Sequence, residues 1–395
     1  MVELPLGRRI ELARHRRGMS RQALGDLIGR SGEWIRQVER GDRAVDRLSL
    51  LLGLATVLKV VDLPGFLGCA APRGTPADPV AGESPAAPVD ALKDVVYRPD
   101  SPGHSSRVGD PDRQVMAAWV TWQDTSSPYA ATLTHLPALL RRLSPDDDST
   151  GVAHAYRLAS AVLGRLGEKP GALIAAQRAL GAARSGDCVL TEASCLATYA
   201  DALVQLGAIG VAIDVCREAA LLLAEHSDAA TPATVAAATG IVHLSAARAA
   251  ASTPAAQESL ASAARAAQLA LLAGTDREPD PRYPFGRLDV EVHAVRIALK
   301  LGHLRDAVRL AHRLDVAQAP ARVRRSRSYI TVACVHARDR NPPAVLYALS
   351  KAEHACAEEL IYNRHARATI SDLLSQENAL IRNDLWALAS RLGMA

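Results

Sequence analysis

Large aromatic side chains are scarce in this chain, with 2 Phe, 4 Trp and 8 Tyr among 395 residues. Sheets draw their stability from β-branched and aromatic side chains, whereas Ala and Leu, which dominate here, favour helices packed closely through small residues. The expected fold class is therefore all-α. The six cysteines (Cys69, Cys188, Cys195, Cys216, Cys334 and Cys356) include no C-x-x-C pair, so they read as reduced, buried thiols of a cytoplasmic protein and not as a disulfide framework or zinc site. Long apolar runs are also missing. The longest stretch without a charged side chain, Ala229 to Ala247, is rich in Ala and Thr and holds Pro232, so no membrane span is expected. The opening MVELPLGRRIELARHRRG is too charged for a secretion signal. Enzyme signatures are absent as well: there is no G-x-x-x-x-G-K-[ST], H-E-x-x-H, G-x-S-x-G or G-x-G-x-x-G. The twelve histidines show no metal spacing. Catalytic residues, a metal and a cofactor are accordingly expected to be none.

The net charge of +4 is unevenly spread. Residues 1–60 carry 12 Lys/Arg against 7 Asp/Glu, so the whole positive excess sits in the first sixth of the chain. That asymmetry suits a polyanionic partner for the head alone. Residues 69–111 carry eight of the 22 prolines, with Gly, Ser and Asp between them, a composition that reads as a flexible linker. The expected domains are thus a head over 1–68, a linker over 69–111 and a helical body over 112–395.

The body repeats itself. L-G-x4-A-x6-A occurs at Leu166, Gly167, Ala172 and Ala179, and again 40 residues on at Leu206, Gly207, Ala212 and Ala219. A third copy has Leu301, Gly302 and Ala307, with Leu314 in the last slot, and weaker helical pairs fill 112–143, 233–273, 320–358 and 363–392. Glycine ends one helix because it takes the left-handed conformation cheaply. The alanines then lie on one face of the next helix and let a hairpin close tightly. This pattern resembles tetratricopeptide repeats, with Tyr156 near their large aromatic slot. It departs from them in a period nearer 40 than about 34 and in lacking their proline. The resemblance implies an α-solenoid of helical hairpins.

The head carries the most specific segment, MSRQALGDLIGRSGEWIRQVERGDR over residues 19–43. Ser20 is placed to cap a helix running to about Ile28, with Leu24 and Ile28 inward, and Gly29 to end it. Ser31 is placed to cap a second helix with Ile35 and Val38 inward, ended by Gly41. Two short helices joined by a tight turn make a helix-turn-helix. With flanking helices bearing Leu6, Ile10 and Ala13, and Leu48, Leu52 and Ala55, a five-helix domain is expected. The run S-x-x-x-I-x-x-V-E-R-G from Ser31 to Gly41 resembles the Cro/repressor (xenobiotic-response-element) helix-turn-helix family over about residues 6–60. That family pairs an arginine of its first helix with a glutamate of its third, which implies a structural ion pair between Arg14 and Glu39. Gly25 departs from the family's usual alanine, at up to ~1 kcal/mol of helix propensity, and Trp34 from its usual short polar residue.

The second helix of such a motif enters the DNA major groove. With Ser31 as cap, positions 32, 33, 36 and 37 point outward. Arg36 suits guanine, Gln37 adenine and Glu33 the N4–H of cytosine, while Gly32 occupies a slot that often carries a reading side chain. Arg21, Arg40, Arg43 and Arg47 suit phosphates, which position without specifying. The DNA-binding set is then Arg21, Ser31, Gly32, Glu33, Trp34, Arg36, Gln37, Arg40, Arg43 and Arg47, with double-stranded DNA as partner. The function expected is a sequence-specific transcriptional regulator, homodimeric, whose repeats sense a peptide, small-molecule or protein ligand. The alternative is a protein-interaction scaffold tethered by its head. Groups of helix-turn-helix and tetratricopeptide segments resemble peptide-responsive regulators, which often hold a peptide backbone with asparagines. This chain has four: Asn341, Asn363, Asn378 and Asn383.

Overall fold

A computed structural model describes residues 5–43, 45, 48–58, 60, 66, 86–98, 110–143, 148–225, 232–253, 261–266, 268–269, 280–319, 321–376 and 381–394. Among them every regular element is a helix. The chain divides into two compact units, Ala81–Ser328 and a second one that joins Met1–Val80 to Tyr329–Ala395. That division departs from the expected head, linker and body: the C-terminal helices group with the head.

The first four helices are α1 (Leu6–Arg16), α2 (Arg21–Leu27), α3 (Gly32–Arg40) and α4 (Leu48–Val57). The next, α5 (Ala86–Tyr97), lies inside the stretch expected to be a linker and corrects that expectation. Proline density marks only part of it. From Ala86 the sequence turns apolar at helical spacing, and Val89, Leu92 and Val96 are buried against α7 and α9. Burial of these three side chains offsets part of the ordering cost, which proline-rich chain with nothing to bury leaves wholly uncompensated.

The Ala81–Ser328 unit further includes, among the described residues, α6 (Pro111–Asp124), α7 (Pro128–Arg142), α8 (Ser149–Leu166), α9 (Lys169–Arg184), α10 (Val189–Leu206), α11 (Ile209–Glu225), α12 (Pro232–Ala250), α13 (Arg287–Lys300) and α14 (Leu304–Ala311). The repeat pattern maps onto hairpins α8–α9 and α10–α11. Gly167 and Gly207 stand just past α8 and α10 with φ of +88° and +87°, where a β-carbon would be strained. Ala172 and Ala179, and Ala212 and Ala219, are all fully buried or nearly so. In the first hairpin, Ser160 Oγ on α8 donates to the Ala172 carbonyl on α9 at 2.8 Å. An approach that close is open only to small side chains. At Gly302, φ is +78° and Ala307 is buried, but α14 ends at Ala311. Leu314 therefore falls beyond the helix and packs with Leu288, Val292 and Ala319, which is why a large side chain fits that slot. The weak 233–273 pair is described mainly as α12.

The unit also holds a buried polar cluster. His154 Nδ1 accepts from Arg157 Nη1 at 2.8 Å, and its Nε2 lies 3.3 Å from the Tyr283 hydroxyl. Burial, with Arg157 and Arg282 adding to it, holds the His154 pKa well below its usual value. Burial pushes the Cys195 and Cys216 thiols up to about 12, in line with inert core cysteines.

The C-terminal segment continues with α15 (Arg322–Arg338), α16 (Pro342–Ala355), α17 (Ala357–Tyr362), α18 (Arg364–Leu374) and α19 (Arg382–Arg391). Asn341 and Asn363 cap α16 and α18 through their side chains, so two of the four asparagines are occupied as helix caps. Leu360, Leu373, Leu385 and Leu388 are buried, while Trp386 is half exposed.

Candidate nucleic-acid interface

The head is built from the caps outward. Ser20 Oγ accepts from the Ala23 N–H at 3.0 Å, and Ser31 Oγ from the Trp34 N–H at 3.1 Å. Gly29 (φ +66°) and Gly41 (φ +84°) end the two helices. Each serine satisfies an orphan donor of the helix it opens, at about 1 kcal/mol apiece. Ile10, Leu24 and Ile35 are completely buried and Val38 nearly so, and with Leu51, Leu54, Ala55, Leu58 and Phe66 they form one apolar core. Four helices of the head are described, against the five expected; Arg47 lies outside the described residues. Tyr347 on α16 packs against the same core. The C-terminal helices thus supply part of the head's apolar cover.

The turn is tighter than the sequence suggests. A β-carbon at Gly25 would stand 2.5 Å from the Arg30 carbonyl oxygen, and the Arg30 N–H donates to the Gly25 carbonyl at 2.8 Å. Glycine there costs helix propensity but permits this approach, so the departure from alanine is a packing requirement. Gly32 lies against α2 as well. Its missing side chain would meet Gln22 of α2, with Gln22 Cα 3.1 Å away. The position lies at the α2–α3 crossing, where a side chain would crowd Gln22.

The expected ion pair is present and larger than expected. Arg14 Nε donates to Glu39 Oε1 at 2.6 Å and Arg14 Nη1 to the Met19 carbonyl at 2.7 Å. Arg21 Nε donates to Glu39 Oε2 at 2.7 Å, and its Nη2 lies 3.6 Å from Glu11. Arg14 and Glu39 are buried, whereas the Arg21 side chain is 41% exposed. One carboxylate thereby ties α1, α2 and α3 together. Arg21, expected on phosphate, is engaged in this cluster; no local spacing signals it, because Arg21 and Glu39 are far apart in sequence.

The outward side of α3 presents Glu33, Arg36 and Gln37, with Arg40 and Arg43 exposed at its end. These side chains are not independent. Arg36 Nε donates to Glu33 Oε2 at 2.7 Å, Arg36 Nη2 reaches the other oxygen, and Gln37 Nε2 lies 3.4 Å from Glu33. The Arg36 hydrogen bond holds the Glu33 carboxyl below its usual pKa, and Glu33 in return raises that of Arg36. Trp34 is half buried against the head core, and the Arg30 guanidinium sits over its ring at 5.9 Å. Among the described residues there is no group of His, Cys, Asp and Glu that could hold a metal, and no helix long and apolar enough to cross a membrane.

Residues 5–63 match the family model of a helix-turn-helix domain. No curated protein matches the chain. Among solved structures, the chain resembles BtubC (BKLC) from P. vanneervenii at 11% identity and a TM-score of 0.37, covering 64% of this chain and 92% of that one. It also resembles Bacillus thuringiensis PlcR, solved in complex with the peptide PapR7 and DNA, at 15% identity and a TM-score of 0.33, covering 85% and 97% respectively.

Proposed function

We propose that this chain is a sequence-specific DNA-binding transcriptional regulator. The observation that carries the reading is α3. It is capped by Ser31, buries Ile35 and Val38, and turns Arg36 and Gln37 outward beside exposed Arg40 and Arg43. A helix of that build fits the major groove. Arg36 there pairs with guanine and Gln37 with adenine, each through two hydrogen bonds. Arg40, Arg43 and Arg47 take phosphates, and Arg21 does so only through the part of its guanidinium that Glu39 leaves free. Ser31 and Trp34 set the height of the helix in the groove. The Ala81–Ser328 repeats take the sensory role, with a peptide, a small molecule or a protein segment as ligand. Two copies of the chain place two heads on two half-sites, since one recognition helix reads too few base pairs to find its site among a genome's competitors.

The test is selection from a pool of duplexes with a randomised core. Enrichment of a single two-fold motif by the full chain is the expected result, with light scattering giving twice the monomer mass. Retention of all duplexes alike would leave a scaffold whose head merely tethers it.

A further inference from the structure

The reading side chains of α3 are held together before any DNA is met. Arg36 gives Glu33 two hydrogen bonds, in a fork-to-carboxylate arrangement, and Gln37 points its amide at the same carboxylate. The pair is solvent-accessible, with Arg36 at 34% and Glu33 at 56% exposure, so it can open. Opening it has a condition. Arg36 recovers two acceptors from the O6 and N7 of a guanine. Glu33 then stands as a bare carboxylate in a groove walled by phosphates, which is favourable only where a donor such as a cytosine N4–H faces it. On arbitrary sequence Arg36 could exchange Glu33 for a phosphate, but the freed carboxylate would be left facing the polyanion.

We infer that Glu33 is a specificity-determining residue that acts by clasping Arg36, releasing it only where DNA offers a guanine to Arg36 and a cytosine amino group to Glu33. This deepens the DNA-binding reading and rests on it. Glu33 contributes discrimination mainly by penalising wrong sequence, as repulsive elements do in other specific interfaces.

The experiment compares wild type, Glu33→Gln, Arg36→Ala and the double variant on two probes: the unselected random-core duplex pool and the motif enriched by wild type. Binding is read by fluorescence anisotropy over a range of salt. Glu33→Gln keeps the size of the side chain and lies at the surface, and circular dichroism checks the fold. The expected result is that Glu33→Gln binds the random pool about 2–5-fold more tightly, the range an exposed ion pair supports. It should bind the enriched motif less tightly, with a steeper salt dependence on the pool as Arg36 gains a phosphate. In the Arg36→Ala background the same change should do much less on the pool. An equal gain with and without Arg36 would show a general charge effect and overturn the clasp. So would unchanged affinity on both probes. A wild type that enriches a motif keeps the DNA reading alive in either case; a wild type that retains no duplex removes that reading and the clasp together.

Discussion

Glu39→Ala is the most severe single change the head should register. Its carboxylate is 1% exposed and accepts from Arg14 Nε at 2.6 Å, from Arg14 Nη2 at 3.3 Å and from Arg21 Nε at 2.7 Å. Truncation leaves the Arg14 guanidinium, 5% exposed, with the Met19 carbonyl and the His15 ring as hydrogen-bond partners. Breaking a buried pair on one side costs about 3–5 kcal/mol, because the remaining charge is neither solvated nor compensated. Arg21 can turn to water, so its share is about 0–1 kcal/mol. A domain of the head's size holds roughly 3–9 kcal/mol, so the variant should lose most of it. Hydrogen–deuterium exchange on the full chain localises the effect. Amides of α1–α3 should lose roughly 10²–10⁴-fold in protection, at 1.4 kcal/mol per tenfold, while those of α8–α11 should not change. Replacing both partners, Arg14→Met with Glu39→Leu, removes the stranded charge and should restore most of the protection. Wild-type protection in Glu39→Ala, or a double variant as loose as the single one, would refute the reasoning.

Arg36→Ala should cost about 1–3 kcal/mol on the selected duplex and relax preference at one base, whereas Arg43→Ala should weaken all duplexes alike and flatten the salt dependence; competition binding at two salt concentrations separates them. Tyr347→Ala should lower exchange protection in α1–α4, by about 1–3 kcal/mol, because it uncovers the head's apolar core; protection confined to its old value would detach the C-terminal helices from the head. Leu92→Ala should cost about 2–5 kcal/mol in the unit that holds α5, measured by urea unfolding, and limited proteolysis should spare 86–98. The depressed pKa of His154 sets a pH dependence. Above the unfolded value of 6.5 both states are neutral and stability is full. As pH falls through 6.5 the unfolded chain takes up a proton that the folded chain refuses, so stability drops by up to about 1.4 kcal/mol per pH unit until the folded pKa is reached. Urea midpoints at about pH 7.5 and pH 5.5 should show the fall, and His154→Gln should reduce it.

Local chemistry determined a good deal of this protein. The scarcity of aromatics and the excess of Ala and Leu specify helices. Ser20, Ser31, Gly29 and Gly41 specify where the two helices of the motif begin and end, since capping is decided within a turn of the residue itself. Gly167 and Gly207 act in the same way in the repeats. The Arg14–Glu39 pair was legible only through the family resemblance. What the tertiary structure alone decided are the long-range assignments. Arg21 goes to Glu39 and Glu11, Gly32 faces Gln22, and Gly25 makes room for the Arg30 carbonyl, because each depends on how closely α2 and α3 cross, a distance that no spacing along the chain encodes. Likewise α5 is a helix in a proline-rich stretch because α7 and α9 offer an apolar surface to Val89, Leu92 and Val96. Tyr347 joins the head because the apolar core around α4 accepts one more side chain, and the partner that supplies it comes from nearly 300 residues further along the chain.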